Sequence, residues 1–241
     1  MTPATEVTPE PTWNYNDLVL FIFLAMVSIG AAQLLTYIAV SALHLSKAER
    51  PLALMPAQIL LYVFLFVALF GILKLQYGRP FLESLAWVDF PFTALAPLAL
   101  GFLLAFANGL ASRLLQTPEL DTPIQHLFDR RVTAIEFGVI GTTIGPLCEE
   151  FVFRGFIQPL FVRSLGPVVG IVITAALFGS LHLAQNGFAW QAGLVITFAG
   201  IAFGWMRQVS GSTRASTLMH SGYNFIVFVA AFSQTGNLTN K

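Results

Sequence analysis

The chain has 241 residues and a formal net charge of zero, from 12 basic and 12 acidic side chains. Charged residues make up 10% of it and hydrophobic ones 56%, with a mean hydropathy of +0.75, where soluble domains carry about 25% charge. So few charges cannot cover a soluble 26.3 kDa domain, which excludes a cytosolic globular enzyme and a disordered chain. The one cysteine, Cys148, cannot form an internal disulfide, and a balanced charge leaves no basic patch for nucleic acid. What remains is an all-α polytopic membrane protein whose constant partner is the lipid bilayer.

Residues 1–17 hold Glu6, Glu10 and Asp17 but no Lys or Arg. They lack the basic start of a cleaved signal and read as a disordered Thr/Pro-rich tail. Crossing hydrocarbon takes about 20 mostly apolar residues. Residues 18–43, 51–73 and 90–112 each satisfy this without an acid, a base or a histidine. They read as lipid-facing scaffold, so that 18–131 forms one block of scaffold helices. Within it, residues 74–89 read as a short helix lying at the membrane surface, with Trp87 at headgroup level. Lys47 and Arg50 in the first loop favour a cytoplasmic placement of that loop. Residues 116–131 are the most polar stretch and read as an aqueous loop, with His126 solvated.

The character changes at 132. Residues 132–162 are apolar apart from Glu136, Glu149, Glu150 and Arg154, and residues 164–206 contain no Asp, Glu, Lys or Arg. The latter are long enough for two spans that meet at Gln185, Asn186 and Gly187. A last span covers 215–233, and 234–241 is a tail. The total is seven spans, or eight if 132–162 breaks near Pro146. Three small-xxx-small pairs, Gly141/Gly145, Gly166/Gly170 and Gly200/Gly204, mark 132–233 as the tightly packed half.

Glu149, Glu150 and Arg154 fall within six positions of one apolar run. A charge at mid-membrane depth costs about 2.5–3.5 kcal/mol, so these groups face the protein interior or a wet cavity. Glu150 and Arg154 are i and i+4 and share a helix face; Glu149 lies about 100° away, a free carboxylate. His182 follows in the next span with Phe178 at i−4, and His220 and Asn224 lie at i and i+4 in the last. Cys148 beside Glu149 is a poor nucleophile, because carboxylates and apolar burial both disfavour its thiolate. A carboxylate and an imidazole can draw a proton from water as it attacks a carbonyl carbon. A second imidazole and an amide N–H can hold the resulting oxyanion. Glu149, His182 and His220 also form a two-histidine, one-carboxylate set of the kind that holds zinc, so both versions stay open on residue types alone.

Three motifs carry a resemblance. PLCEEFVFRG at 146–155 is similar to the EExxxR motif of the CAAX protease and bacteriocin-processing (CPBP, or Abi) family. FGSLH at 178–182 is similar to its FxxxH motif and HSGYN at 220–224 to its HxxxN motif. The order agrees, with 33 residues from Glu149 to His182 and 38 more to His220. The family comprises intramembrane endopeptidases, among them the type II CAAX prenyl endopeptidases. The resemblance implies that Glu149 and His182 activate water, that His220 and Asn224 stabilise the oxyanion, and that Glu150, Arg154 and Phe178 support the site. It implies a metal-free mechanism in which no cofactor is required, with zinc as the alternative. The implied partner is a membrane-associated peptide or protein substrate. Two other readings fit the same residues: a catalytically silent membrane partner, serving bacteriocin immunity or scaffolding, and a proton-coupled transporter with Glu149 and the histidines as its relay.

Overall fold

Closed barrels aside, only helices carry a chain through hydrocarbon with every backbone hydrogen bond satisfied. The computed structural model describes residues 12–46, 49–118, 120 and 125–234, and among these it contains helices and turns but no strand. The chain runs through α1 (Tyr15–Ala42), α2 (Leu54–Phe70), continued by a π-helical segment Gly71–Gln76, α3 (Phe81–Ser84) and α4 (Leu95–Leu114). The second half holds α5 (Arg131–Thr142), α6 (Ile144–Glu150), a π-helical Phe151–Ile157, α7 (Gln158–Leu165), α8 (Pro167–Leu181), α9 (Trp190–Ser210) and α10 (Thr213–Gln234). It is a polytopic membrane helix bundle.

Five helices among the described residues are long and apolar enough to cross a membrane: α1, α2 with its π extension, α4, α9 and α10. The other expected spans exist as shorter or charged rods. The first is α5, of 12 residues; the second is the uninterrupted run from Ile144 to Leu165, which carries Glu149, Glu150 and Arg154; the third is α8, of 15 residues. The break between α5 and α6 falls at Thr143, three residues before Pro146. Gly166, at φ 79°, turns the chain between α7 and α8 in a conformation that suits glycine.

The run Ile144–Leu165 is the centre of the molecule. Every residue from Phe151 to Ile157 is buried. Around it gather Trp13 and Phe21 of the N-terminal region, Leu69, Ile72 and Leu73 of α2 and its extension, Leu85, and Phe178 of α8. On the outside, α1 exposes Val19, Phe23 and Met26, α4 exposes Leu103 and Phe106, and α8 exposes Val168, which is the apolar belt that lipid requires.

Two stretches of the scaffold half differ from expectation. Residues 12–17 belong to the fold: Asn14 caps α1 in a capping box with Asp17, and Trp13 is buried, its indole N–H donating to Phe156 O at 2.9 Å and its ring stacked 5.4 Å from that of Phe156. Asp17, buried too, accepts from Gln76 at 2.9 Å and from the Tyr77 hydroxyl at 2.6 Å, and that bond holds the Tyr77 phenol above its usual range. Residues 1–11, Lys47 and 235–241 lie outside the described residues. The surface helix expected over 74–89 is a single turn, α3. Leu85 is buried, and Trp87 meets Phe151 edge-on at 5.2 Å, because the long central rod offers the loop a larger apolar surface than its own amphipathic pattern could cover.

α4 and α10 pack through glycines. A methyl on Gly101 would collide with the Met219 carbonyl and lie 2.8 Å from Tyr223 N, and one on Gly222 would lie 2.6 Å from Leu98 O. Gly109 on the same helix faces open space. Gly101→Ala is therefore expected to destabilise the protein by about 1–3 kcal/mol, seen as a lowered unfolding midpoint in detergent. Gly109→Ala is expected to leave that midpoint unchanged or slightly raised, since alanine is the better helix former.

Candidate active site

The widened turns of the π-helical segment begin directly after Glu150, and such insertions are common at functional sites. Glu150, Arg154 and Gln158 form a row along this rod. Arg154 Nη1 donates to Glu150 Oε1 at 2.9 Å, Arg154 Nη2 donates to Gly200 O at 2.8 Å, and Gln158 Nε2 donates to Gly204 O at 3.0 Å. The glycine pair on α9 makes this possible. A methyl at Gly200 would stand 3.3 Å from Arg154 Nη2, and one at Gly204 would stand 2.7 Å from Gln158 Oε1.

Both partners of the ion pair are fully buried, with 0% side-chain exposure. Taking two charges out of water costs several kcal/mol per ion, so the pair needs further compensation. The Arg154 guanidinium lies 4.7 Å from the Phe178 ring centre and 5.4 Å from that of Phe203, and desolvated contacts of this kind contribute up to about 2 kcal/mol. The same rings hold the histidines. Phe203 stacks on His220 at 4.4 Å and 19°, and Phe178 meets His220 edge-on at 5.7 Å and His182 at 4.5 Å.

Glu149 is placed differently. Its side chain is 23% exposed, its Oε2 lies 3.8 Å from His220 Nε2, and its Oε1 accepts from the Tyr62 hydroxyl at 3.0 Å. His220 lies between the two carboxylates, with Nδ1 at 3.0 Å from Glu150 Oε1. A ring nitrogen facing a carboxylate carries the proton, so Nδ1–H is directed at Glu150. His182 is half-buried at the C-terminal end of α8, with Nδ1 2.7 Å from Phe178 O. That contact requires Nδ1–H and leaves the Nε2 lone pair free in the neutral ring. Asn224, one turn beyond His220, donates from Nδ2 to Gly141 O at 2.7 Å, which ties α10 to α5 and leaves its second N–H available.

The structure thus gathers Glu149, Glu150, Arg154, Phe178 and His220 into one contact network, with His182 joined to it through the Phe178 ring. Asn224 is attached to α5. Among the described residues no three His, Cys, Asp or Glu side chains stand grouped to hold a metal ion. Three residues of the network escape sequence reasoning. Tyr62 sits in a scaffold span, and its only signal is Gln58 one turn earlier, a polar pair on one face of an apolar helix. Gln158 continues the row of Glu150 and Arg154 by one turn. Phe203 is one phenylalanine among 23 and carries no signal.

Residues 131–226 match the family model described as type II CAAX prenyl endopeptidase Rce1-like. No curated protein and no solved structure matches the chain. The matched stretch begins at α5 and ends within α10, so it holds every member of the network except Tyr62. This part of the chain, about two fifths of it, is similar to the type II CAAX prenyl endopeptidases, consistent with the CAAX protease (CPBP) family, and the protein is an integral, multi-pass membrane protein.

The two glutamates should respond differently to substitution. Arg154→Met strands a buried carboxylate and is expected to destabilise the fold by about 3–5 kcal/mol. Glu149→Gln changes a partly exposed group that can still accept from Tyr62, and is expected to shift stability by less than about 1 kcal/mol. Unfolding midpoints of the two purified variants check this.

Proposed function

We propose that the chain hydrolyses a peptide bond in a membrane-associated substrate, with water activated by Glu149 and His182. Supporting this reading is the unequal treatment of adjacent carboxylates: Glu150 is buried on Arg154 and His220, while Glu149 is partly exposed, carries no arginine, and faces the open nitrogen of His220. A carboxylate with no arginine paired to it has an oxygen free to accept a hydrogen bond, and then a proton, from water.

In this reading Glu149 takes one proton from water as the water oxygen attacks the carbonyl carbon. The Nε2 lone pair of His182 accepts a hydrogen bond from the other O–H and orients the attack. The carbonyl π electrons move onto oxygen. His220, when protonated on both nitrogens, donates Nε2–H to that oxyanion while Glu150 balances its charge through Nδ1–H. The free N–H of Asn224 is the second donor. As the tetrahedral intermediate collapses, the C–N bond breaks and the leaving nitrogen takes the proton held by Glu149, which returns as carboxylate. Side chains alone supply the chemistry.

The test uses purified full-length protein in nanodiscs and a library of fluorescence-quenched apolar peptides. Glu149→Gln and His182→Ala are each expected to lower the cleavage rate about 10²–10⁴-fold with the unfolding midpoint retained, and Tyr62→Phe to lower it about tenfold. Wild-type rates in Glu149→Gln would overturn the general-base role. Absence of cleavage together with proton-driven uptake in proteoliposomes would favour the transporter reading.

A further inference from the structure

Among the described residues Glu149 has a single hydrogen-bond donor, the Tyr62 hydroxyl, at 3.0 Å from Oε1. Its other oxygen, Oε2, stands 3.8 Å from His220 Nε2, beyond hydrogen-bond length. Glu150, by contrast, is fully buried on Arg154 and His220. A glutamate side chain has three rotatable bonds. Left free to sweep them, a partly exposed carboxylate loses the fixed geometry that proton transfer requires. What fixes Glu149 therefore acts through Oε1.

Tyr62 comes from α2, in the part of the chain outside the family match. Gln58 lies one turn earlier on the same face of that helix, and its side-chain amide is within reach of the Tyr62 hydroxyl. An amide N–H on the phenol oxygen leaves the phenol O–H to point at the carboxylate. The three groups then form a directed chain, Gln58 to Tyr62 to Glu149, in which each bond polarises the next. On the opposite side, Gly145 lies one turn before Glu149 on the same face of α6. A methyl there would stand 3.3 Å from the Tyr62 hydroxyl oxygen and 3.2 Å from Ile140 O, so the glycine clears the path of the phenol to the next turn. A methyl on Gly141, the other member of that small-residue pair, would meet only the Phe137 ring, at 3.8 Å. A phenol that merely tied α2 to α6 could end on any buried acceptor. This one ends on the partly exposed carboxylate and leaves open the oxygen that faces His220.

We infer that Gln58, Tyr62 and Gly145 form a positioning device that fixes Glu149 Oε1 and presents Oε2 to the reacting water. The inference rests on the proteolytic reading above and deepens it. The proton passes from water to Oε2, on the side where His220 holds the oxyanion, and from Oε2 to the leaving nitrogen, so Glu149 ends as it began. Oε1 stays on Tyr62 throughout. Tyr62 touches neither water nor substrate; it acts through Glu149, and so on the chemical step and not on binding.

The experiment uses purified full-length protein in nanodiscs, read by infrared difference spectroscopy and by cleavage of a fluorescence-quenched apolar peptide. Subtracting the spectrum of Glu149→Gln from that of the wild type isolates the carboxylate stretches of Glu149, and the same subtraction is made in each variant background. In Tyr62→Phe those bands are expected to move, because one carboxylate oxygen has lost its donor. Its kcat is expected to fall about tenfold with KM changed less than about twofold, as loss of one hydrogen bond to a charged group allows. Gln58→Leu, which keeps the phenol, is expected to move the bands less and to lower kcat about threefold, and Gly145→Ala, which crowds the phenol, to fall between the two. If Tyr62→Phe fails to fold, Gln58→Leu decides by the same two readings. Unmoved bands, or a loss that appears in KM with kcat retained, would overturn the inference. Moved bands without wild-type cleavage would keep the tether on Glu149 and remove hydrolysis; Glu149-dependent cleavage with unmoved bands would do the reverse.

Discussion

The buried pair of Glu150 and Arg154 is the constraint around which the second half of the protein is arranged. Two charges inside an apolar rod need compensation beyond each other, and although Glu150 Oε2 and Arg154 Nε find no hydrogen-bond partner among the described residues, the other contacts come from three further helices. Gly200 of α9 supplies a carbonyl, Phe178 of α8 and Phe203 of α9 cover the guanidinium, and His220 of α10 shares the carboxylate oxygen. The requirement that stabilises Arg154 therefore also brings α8, α9 and α10 to one point and fixes His220 by its Nδ1. The histidine's other nitrogen then faces Glu149. Placement of Glu149, the carboxylate to which our proposal gives the general-base role, follows from satisfying its buried neighbour.

The first half contributes more than lipid contact. Trp13 and Asp17 lock the start of α1 onto the central rod and onto the end of α2, so α1 and α2 form a clamp along that rod. One product of the clamp is the Tyr62 hydroxyl on Glu149. The family match begins at α5 and ends within α10, so Tyr62, which donates to Glu149, lies outside it.

Much of this was legible in the chain itself. Residue spacing alone pairs Glu150 with Arg154 and leaves Glu149 free, because i and i+4 share a helix face while adjacent residues do not. Uncharged runs mark the long spans, and the bend at residues 185–187 separates α8 from α9. What was not legible depends on tertiary contact. The π-helical winding after Glu150 coincides with the bonds of Arg154 and Gln158 to the α9 carbonyls, partners that no local spacing names. His182 sits at the end of α8, where its Nδ1 can reach a carbonyl of its own last turn. Asn224 bonds to Gly141 because α5 lies beside α10, a neighbour that the last span's pattern does not name. Trp13 reads as part of a polar tail until the rod that buries it is in place.

The most direct test is made in cells, where the natural substrate is present. Membrane proteomes of cells expressing the wild-type protein or Glu149→Gln at equal levels are compared by mass spectrometry for new protein termini. The account predicts at least one truncated membrane-associated protein that is present with the wild type and replaced by its full-length form with Glu149→Gln. Identical sets of termini in the two proteomes, with both proteins folded in the membrane, would contradict it.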